Sequence, residues 1–310
     1  MLETYGFLVL GLVLVTLGAD SFVKGASGLA QGQGVGGFSA GLAMVAVGAS
    51  TAQVAIAAAA IFRGHDALAI GTVLGGCIAN LGLIIGVSAL VKPLAVGFRL
   101  LAVALPILVV AVVALWIMGA DGAVGRFDGS LLLLAAVAFG WLVRRAAPQE
   151  SESVRKELAY AANTQSDRLR NLLRIAIGLV VLGYGAWRSV GSALEIAAHF
   201  RMDEMWIGLS VLAIGAALPE LASAVVAAAR GHGNVVVGSA LASSVVNLLF
   251  VFGLLALWRP LALPAPMLRM ELPVLLVFAL SFYPLLRGEL VLSRRRGLVL
   301  VLAFAGWILW

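Results

Sequence analysis

Glu220 stands at the end of Gly215-Ala216-Ala217-Leu218-Pro219-Glu220, inside an otherwise apolar stretch. A carboxylate at membrane depth is costly, and its presence marks a functional site by default. Pro219 lacks the N–H that a helix needs, so it predicts an interrupted helix with released backbone carbonyls, supported by Gly215. A charge beside a broken helix in hydrocarbon is how a membrane protein builds an ion site. The competing reading is structural: a proline kink, with Glu220 paired to an arginine or reaching an interface.

Three further segments carry intramembrane polarity: Gly48-Ala49-Ser50-Thr51-Ala52-Gln53, the run from Gly71 to Asn80, and the run from Gly238 to Asn247. Hydroxyl and amide oxygens, with carbonyls freed at a helix break, are the hard ligands that Na⁺ or Ca²⁺ takes. Gly76 and Asn80 are four residues apart, as are Ser243 and Asn247, so each pair shares a helical face. Small residues also serve close helix packing without any ion.

The elements that position these residues are transmembrane. Of 310 residues, 62% are hydrophobic and 12% charged, and mean hydropathy is +1.08, which excludes a soluble globular domain. The net charge of +6 lies between apolar runs, which points to membrane orientation rather than nucleic acid. Cuts at charged and Gly/Pro-containing breaks give ten spans: 5–24, 38–62, 67–91, 98–119, 129–146, 171–194, 205–229, 234–257, 267–287 and 290–310. The polar segment 147–170 is the linker between halves 1–146 and 171–310. Alternating connections place six Lys and Arg on one side and fifteen, dominated by the linker, on the other. The positive-inside rule makes the linker side cytoplasmic and leaves both termini outside. The N-terminus lacks a basic region ahead of its apolar run, so no cleaved signal peptide is expected. Cys77 is the single cysteine, so no intrachain disulfide forms.

The chain repeats itself. A shift of 167 residues, without a gap, carries Gly41 onto Gly208, Gly48 onto Gly215, Arg63-Gly64-His65 onto Arg230-Gly231-His232, and Gly71 onto Gly238. The same shift carries Asn80 onto Asn247, Gly86 onto Gly253, Pro93 onto Pro260 and Pro106 onto Pro273. Each half has five spans, an odd number, so the two copies enter the membrane in opposite directions. The expected architecture is an all-α polytopic membrane protein of two inverted five-helix repeats. Such transporters form their site near the midplane, where equivalent helices meet.

These residues resemble the cation/calcium exchanger superfamily, which includes the sodium/calcium exchangers. Its two repeats carry Gly-(Thr/Ala)-Ser-x-Pro-Glu on the second span and Gly-Asn-x-x-Gly-Ser-Asn-x-x-(Asn/Asp) on the third. The resemblance covers the ten-span plan, the repeat and the Arg-Gly-His connection. It implies four central ligand positions, which fall on Gln53, Glu220, Asn80 and Asn247, with Ser50 and Ser243 as flanking hydroxyls. Gly48, Gly215 and Pro219 match the helix-break positions. The implied substrates are inorganic cations, Na⁺, Ca²⁺ or H⁺, with no cofactor and no nucleic acid partner, in the plasma (inner) membrane.

The departures concern charge. Ala52 and Gln53 replace the Pro and Glu of the first copy, and Gly75-Gly76-Cys77 and Ala242-Ser243-Ser244 replace Gly-Ser-Asn. The second copy has Ala216-Ala217 ahead of Leu-Pro-Glu. One carboxylate therefore remains among the motif positions. Ca²⁺ beside one carboxylate leaves a net positive charge in a low-dielectric cavity, which costs several kcal/mol. Gln53, Asn80 and Asn247 can coordinate a cation but cannot neutralise it. One Glu balances a monovalent ion, and a protonated Glu needs none. The charge favours monovalent-cation or proton-coupled antiport, or weak Ca²⁺ binding, with Gln53 and Glu220 facing each other at the midplane.

The remaining candidates have simpler readings. His65 and His232 sit in short connections, where capping or headgroup contact is the plainer role and pH sensing the sharper one. Asp20 has Trp187 as its repeat counterpart and is expected at the interface near Lys24. Cys77 reads as a small packing residue within the site motif, and Pro106 and Pro273 as kinks of equivalent helices. A transport-inactive or regulatory homologue that binds cations weakly is the second reading, motivated by the altered first copy. No His-Glu-x-x-His occurs and no Ser/His/Asp set shares one depth, which argues against an enzyme.

Overall fold

A computed structural model describes residues 1–32, 37–146, 167–263, 265, 267–286 and 291–309. Side chains at 30–32, 37–49, 98–100, 146 and 286 lie outside the description, as does nearly all of the expected linker 147–170. The helices are α1 (Leu2–Gly32), α2 (Gly37–Phe62), α3 (Asp66–Val91), α4 (Phe98–Met118), α5 (Arg126–Ala146), α6 (Arg168–Phe200), α7 (Glu204–Arg230), α8 (Gly233–Trp258), α9 (Met267–Leu285) and α10 (Arg294–Leu309). Eight of them are long and apolar enough to cross a membrane. The described apolar part of α2, Ser50–Phe62, and the 16-residue α10 fall below that length. The chain is a multi-pass membrane protein.

Two helices outrun their expected spans. α1 has 31 residues and α6 has 33, about 46 and 50 Å at 1.5 Å per residue, against a hydrocarbon core of about 30 Å. Asp167 starts α6 as its N-cap, its carboxylate accepting from the N–H of Leu169 and Arg170. Near the far end of α1, Lys24 donates to Asp20 at 2.7 Å with both side chains exposed, as expected of an interface pair.

The chain forms two compact units, each drawing on both sequence halves. One comprises Met1–Thr72 with Ser151–Ala216, and the other Val73–Glu150 with Ala217–Trp310. In the first unit α1 and α6 run antiparallel with backbone against backbone. A Cβ at Gly185 would stand 2.6 Å from Val15 N and 2.8 Å from Gly11 O. A Cβ at Gly178 would stand 2.6 Å from Phe22 N and 2.9 Å from Gly18 O. Only glycine admits such an approach. The 167-residue shift exchanges these two contacts, because it carries Gly11 onto Gly178 and Gly18 onto Gly185.

The second unit holds α4, α5, α8, α9, α10, most of α3 and the part of α7 from Ala217 onward. Two antiparallel strand pairs secure its connections, an addition to the all-helical expectation. β1 (Leu94–Ala95) pairs with β4 (Val291–Leu292), and β2 (Ala123–Val124) with β3 (Leu261–Ala262). The tenth span accordingly starts later than expected, since Val291 and Leu292 are extended and α10 begins at Arg294. α3 is almost wholly enclosed, whereas α5 exposes most of its surface.

The repeated Arg-Gly-His is a helix stop. Gly64 and Gly231 take φ of +84° and +87°. His65 N–H donates to Ala60 O at 3.0 Å, and His232 N–H to Ala227 O at 2.9 Å. This is the left-handed glycine cap that satisfies the last carbonyls of a helix. The capping role expected of these connections is what the backbone shows.

Candidate cation site

α3 and α8 change their winding at the two asparagines. Asn80–Ile84 and Asn247–Val251 are π-helical turns. In each, an N–H five residues on bonds the asparagine carbonyl: Ile85 N–H to Asn80 O, and Phe252 N–H to Asn247 O. Single π turns within α-helices gather at functional sites. The sequence marks neither turn with a Gly or Pro break at the asparagine itself.

Around these turns the second unit gathers a buried polar cluster. Cys77, Asn80, Ser243, Ser244 and Asn247 are all fully buried. Asn80 Nδ2 donates to Ser244 Oγ at 3.4 Å, and Ser244 Oγ donates to Ala240 O at 2.8 Å. Cys77 Sγ donates to Ser244 O at 3.6 Å. The Cys77 thiol also lies within hydrogen-bond reach of the Asn247 side chain and within the electrostatic reach of Glu220. Cys77 and Ser244 therefore stand at the centre of the cluster, beyond the packing role that residue type suggested.

Glu220 completes this half of the set. The residue is partly exposed, yet its Oε1 is shielded from solvent and has no hydrogen-bond partner among the described residues. Asn80 Oδ1 is shielded and without a partner in the same way. A buried oxygen left without a donor carries a desolvation cost of about 1–3 kcal/mol. Each is an atom that an oxygen-seeking cation would satisfy. Among the described residues no three of His, Cys, Asp and Glu cluster as a metal site. The donors on hand are one carboxylate with amide and hydroxyl oxygens.

The first unit carries the equivalent positions on α2. Ser50 and Gln53 are buried and each makes an interaction within the protein. Gly48 lies on α2 in the part whose side-chain surroundings are not described. Gly215 lies on α7, close against the Leu12 side chain. The expected break at Pro219 is absent: the helix runs without interruption from Ala213 to Arg230 with the proline inside it. What the proline does remove is a donor, since its nitrogen offers no hydrogen to the carbonyl four residues back, that of Gly215. The winding of α7 departs from regular earlier, in a π turn at Gly208–Leu212.

One acid escaped the sequence reading. Glu271 is buried within the π turn Met267–Glu271 that opens α9, and Trp307 Nε1 donates to its Oε2 at 2.8 Å. It lies near the start of the expected span 267–287, close to Arg269, and nothing in its spacing sets it apart as buried. The hydrogen bond gives it a structural partner in Trp307.

A family model for the sodium/calcium exchanger protein matches residues 3–144 and 171–310. The chain belongs to the sodium/calcium exchanger protein family. The putative antiporter CaxA of Alkalimonas amylolytica is 30% identical over 99% of this chain and 98% of its own length. The inner membrane protein YrbG of Escherichia coli (strain K12) is 31% identical over 100% of this chain and 96% of its own. Among solved structures, the sodium-calcium exchanger NCX_Mj soaked with 2.5 mM Na⁺ and 10 mM Sr²⁺ has a TM-score of 0.69 and 26% identity. That match covers 99% of this chain and 98% of the other. This member of the exchanger family is thus a membrane transporter built for cation antiport, and the resemblance carried by the two motifs holds along the whole chain.

Proposed function

We propose that this exchanger-family protein is a secondary-active cation antiporter working by alternating access, and that Glu220, Asn80, Asn247 and Ser243 are its cation ligands. Gln53, the repeat equivalent of Glu220, and Ser50, a flanking hydroxyl like Ser243, are ion-binding positions with them, and Gly48, Gly215 and Pro219 shape the helices beside them. The observation that carries this reading is Glu220 Oε1, a shielded carboxylate oxygen that no described donor satisfies. Beside it the amides and hydroxyls of α3 and α8 add oxygen ligands and no charge.

The architecture we propose is ten crossings in two inverted repeats, 1–146 and 171–310, joined by a cytoplasmic linker at 147–170, with both termini outside. Exchange of contacts under the 167-residue shift, in α1 with α6 and in the paired π turns, supports it. The inner membrane is the proposed location, in keeping with the name of the relative from Escherichia coli.

With one carboxylate at the motif positions, the protein favours a monovalent cation or a proton as coupling ion, or binds Ca²⁺ weakly. The test is flux into proteoliposomes under Na⁺ and H⁺ gradients, with Ca²⁺ uptake recorded alongside. Robust Na⁺-driven Ca²⁺ uptake that Glu220→Gln abolishes would overturn the monovalent reading while upholding the site. Loss of the first-copy carboxylate at Gln53 favours one alternative, a transport-inactive homologue that binds cations weakly. Cation-dependent thermal stabilisation with no flux under any gradient would support that alternative, and flux lost in Glu220→Ala would exclude it.

A further inference from the structure

The first unit carries a cationic pair that the cation site does not use. Arg63 follows directly on α2; its Nη2 donates to Trp187 O at 3.0 Å and its guanidinium carbon lies 3.8 Å from the centre of the Trp187 ring. Arg188, the next residue of α6, lies 4.0 Å over the Phe7 ring. Gly191 leaves room for the first guanidinium, because a Cβ there would stand 3.1 Å from Arg63 Nη2. The Nε atoms of both arginines are shielded from solvent and have no hydrogen-bond partner among the described residues.

The local charge does not close. Burial first, and then the neighbouring Arg188 charge, push the Arg63 guanidinium below its ordinary value, and Glu195 opposes them without cancelling them. Arg63 thus has a second cation beside it and the exposed Glu195 within electrostatic reach.

Depth identifies what lies outside. Twenty residues separate Arg168, at the start of α6, from Arg188. That is about 30 Å along a helix, one hydrocarbon thickness, so a bilayer with one headgroup layer at Arg168 has the other at Arg188. Phe7 and Trp187 are exposed, as aromatic side chains of the interfacial belt are. Guanidinium groups bind phosphate oxygens in a fork geometry, and stacking on aromatic rings holds that fork in place.

We propose that Arg63 and Arg188, held on the Trp187 and Phe7 rings, form a binding site for the phosphate of an anionic phospholipid headgroup, whose charge and oxygens would face the outer edges of the two guanidinium groups. Free phosphate shares the chemistry, but the flanking exposed rings suit a lipid, whose glycerol and acyl chains they would contact.

Native mass spectrometry of the purified full chain tests this, with phosphatidylglycerol, phosphatidylcholine and inorganic phosphate titrated separately. Phosphatidylglycerol adducts should exceed those of phosphatidylcholine. Retention should fall about fivefold for Arg63→Gln or Arg188→Gln, and about twentyfold for both together. Glu195→Gln, on an exposed side chain, should increase retention and keeps the test open if the double variant does not fold. Unchanged phosphatidylglycerol retention in the arginine variants, or no gain in Glu195→Gln, overturns the site. Inorganic phosphate that binds and displaces phosphatidylglycerol overturns the lipid assignment.

Discussion

Cys77 donates its thiol proton to the backbone carbonyl of Ser244, the residue 167 positions further on and therefore its own counterpart in the second repeat. Two positions related by a two-fold axis touch only where they lie beside that axis. Asn80 reaches the same residue through Ser244 Oγ. On the inverted repeat proposed above, the candidate cation ligands of α3 and α8 would thus lie where the two copies of the motif meet.

That contact predicts a cross-link. Ser244→Cys should form an intramolecular disulfide with Cys77 under mild oxidant, as closely approaching backbones with Cα atoms about 4.4–6.8 Å apart permit. Loss of free-thiol labelling in the variant, reversed by reductant, is the expected result. Full labelling after oxidation would place the two equivalents apart and remove the axis from this point.

The charge balance predicts a gain of function. Gln53→Glu restores a second carboxylate to the motif set, so Ca²⁺ no longer leaves an uncompensated positive charge. Ca²⁺ affinity relative to Na⁺ should rise by about tenfold or more, the equivalent of about 1.4 kcal/mol. Isothermal titration of purified wild type and variant with each ion measures it. An unchanged Ca²⁺ to Na⁺ ratio would sever Gln53 from the site.

Backbone-to-backbone packing of α1 on α6 predicts a steep local penalty. At Gly18 an added Cβ would run into the backbone of Leu182, which cannot swing aside, so Gly18→Leu should cost about 1–3 kcal/mol or more. At Gly183 nothing lies within 4 Å, and Gly183→Ala should leave stability unchanged or slightly raised. Thermal unfolding of the two variants in detergent gives the comparison. Equal melting temperatures would show that the helices part to admit the side chain.

Glu271 predicts an asymmetry between partners. Trp307→Phe removes the indole donor and leaves a buried carboxylate oxygen unsatisfied, a loss of about 1–3 kcal/mol. Glu271→Gln keeps an acceptor for Trp307 and should be close to neutral in stability. Thermal unfolding of each variant, with cation flux as a second readout, separates this structural pair from the transport site: flux per folded molecule should not change in either.

Much of the fold was legible because its causes are compositional. Apolar runs had to be helices, and an unbroken 167-residue register had to be a repeat. Arg-Gly-His recurs because the left-handed cap at Gly64 and Gly231 tolerates few other residues. The winding of the site helices was not legible. A π turn adds one residue per turn at no compositional cost, so Asn80 and Asn247 were recognisable as candidate ligands but not as the start of an altered turn. Pro219 misled in the opposite sense, because the helix continues through it at the loss of the one hydrogen bond its nitrogen cannot donate. Cys77 was read by type, as a small apolar filler, when its position opposite Ser244 gave it a polar partner.

The π turns also redistribute the faces of their helices. An α-helix turns about 100° per residue, so one surplus residue rotates everything after it by that angle relative to an uninterrupted helix. In α3 the residues before the turn, Cys77 and then Asn80 at its start, look to Ser244 on α8, while Gly86 after it rests against Gly297 on α10. In α8 the same offset brings Gly253 against Gly129 on α5. Each helix is in effect two half-helices sharing one axis with different bearings, and the asparagines occupy the joint where one bearing gives way to the other.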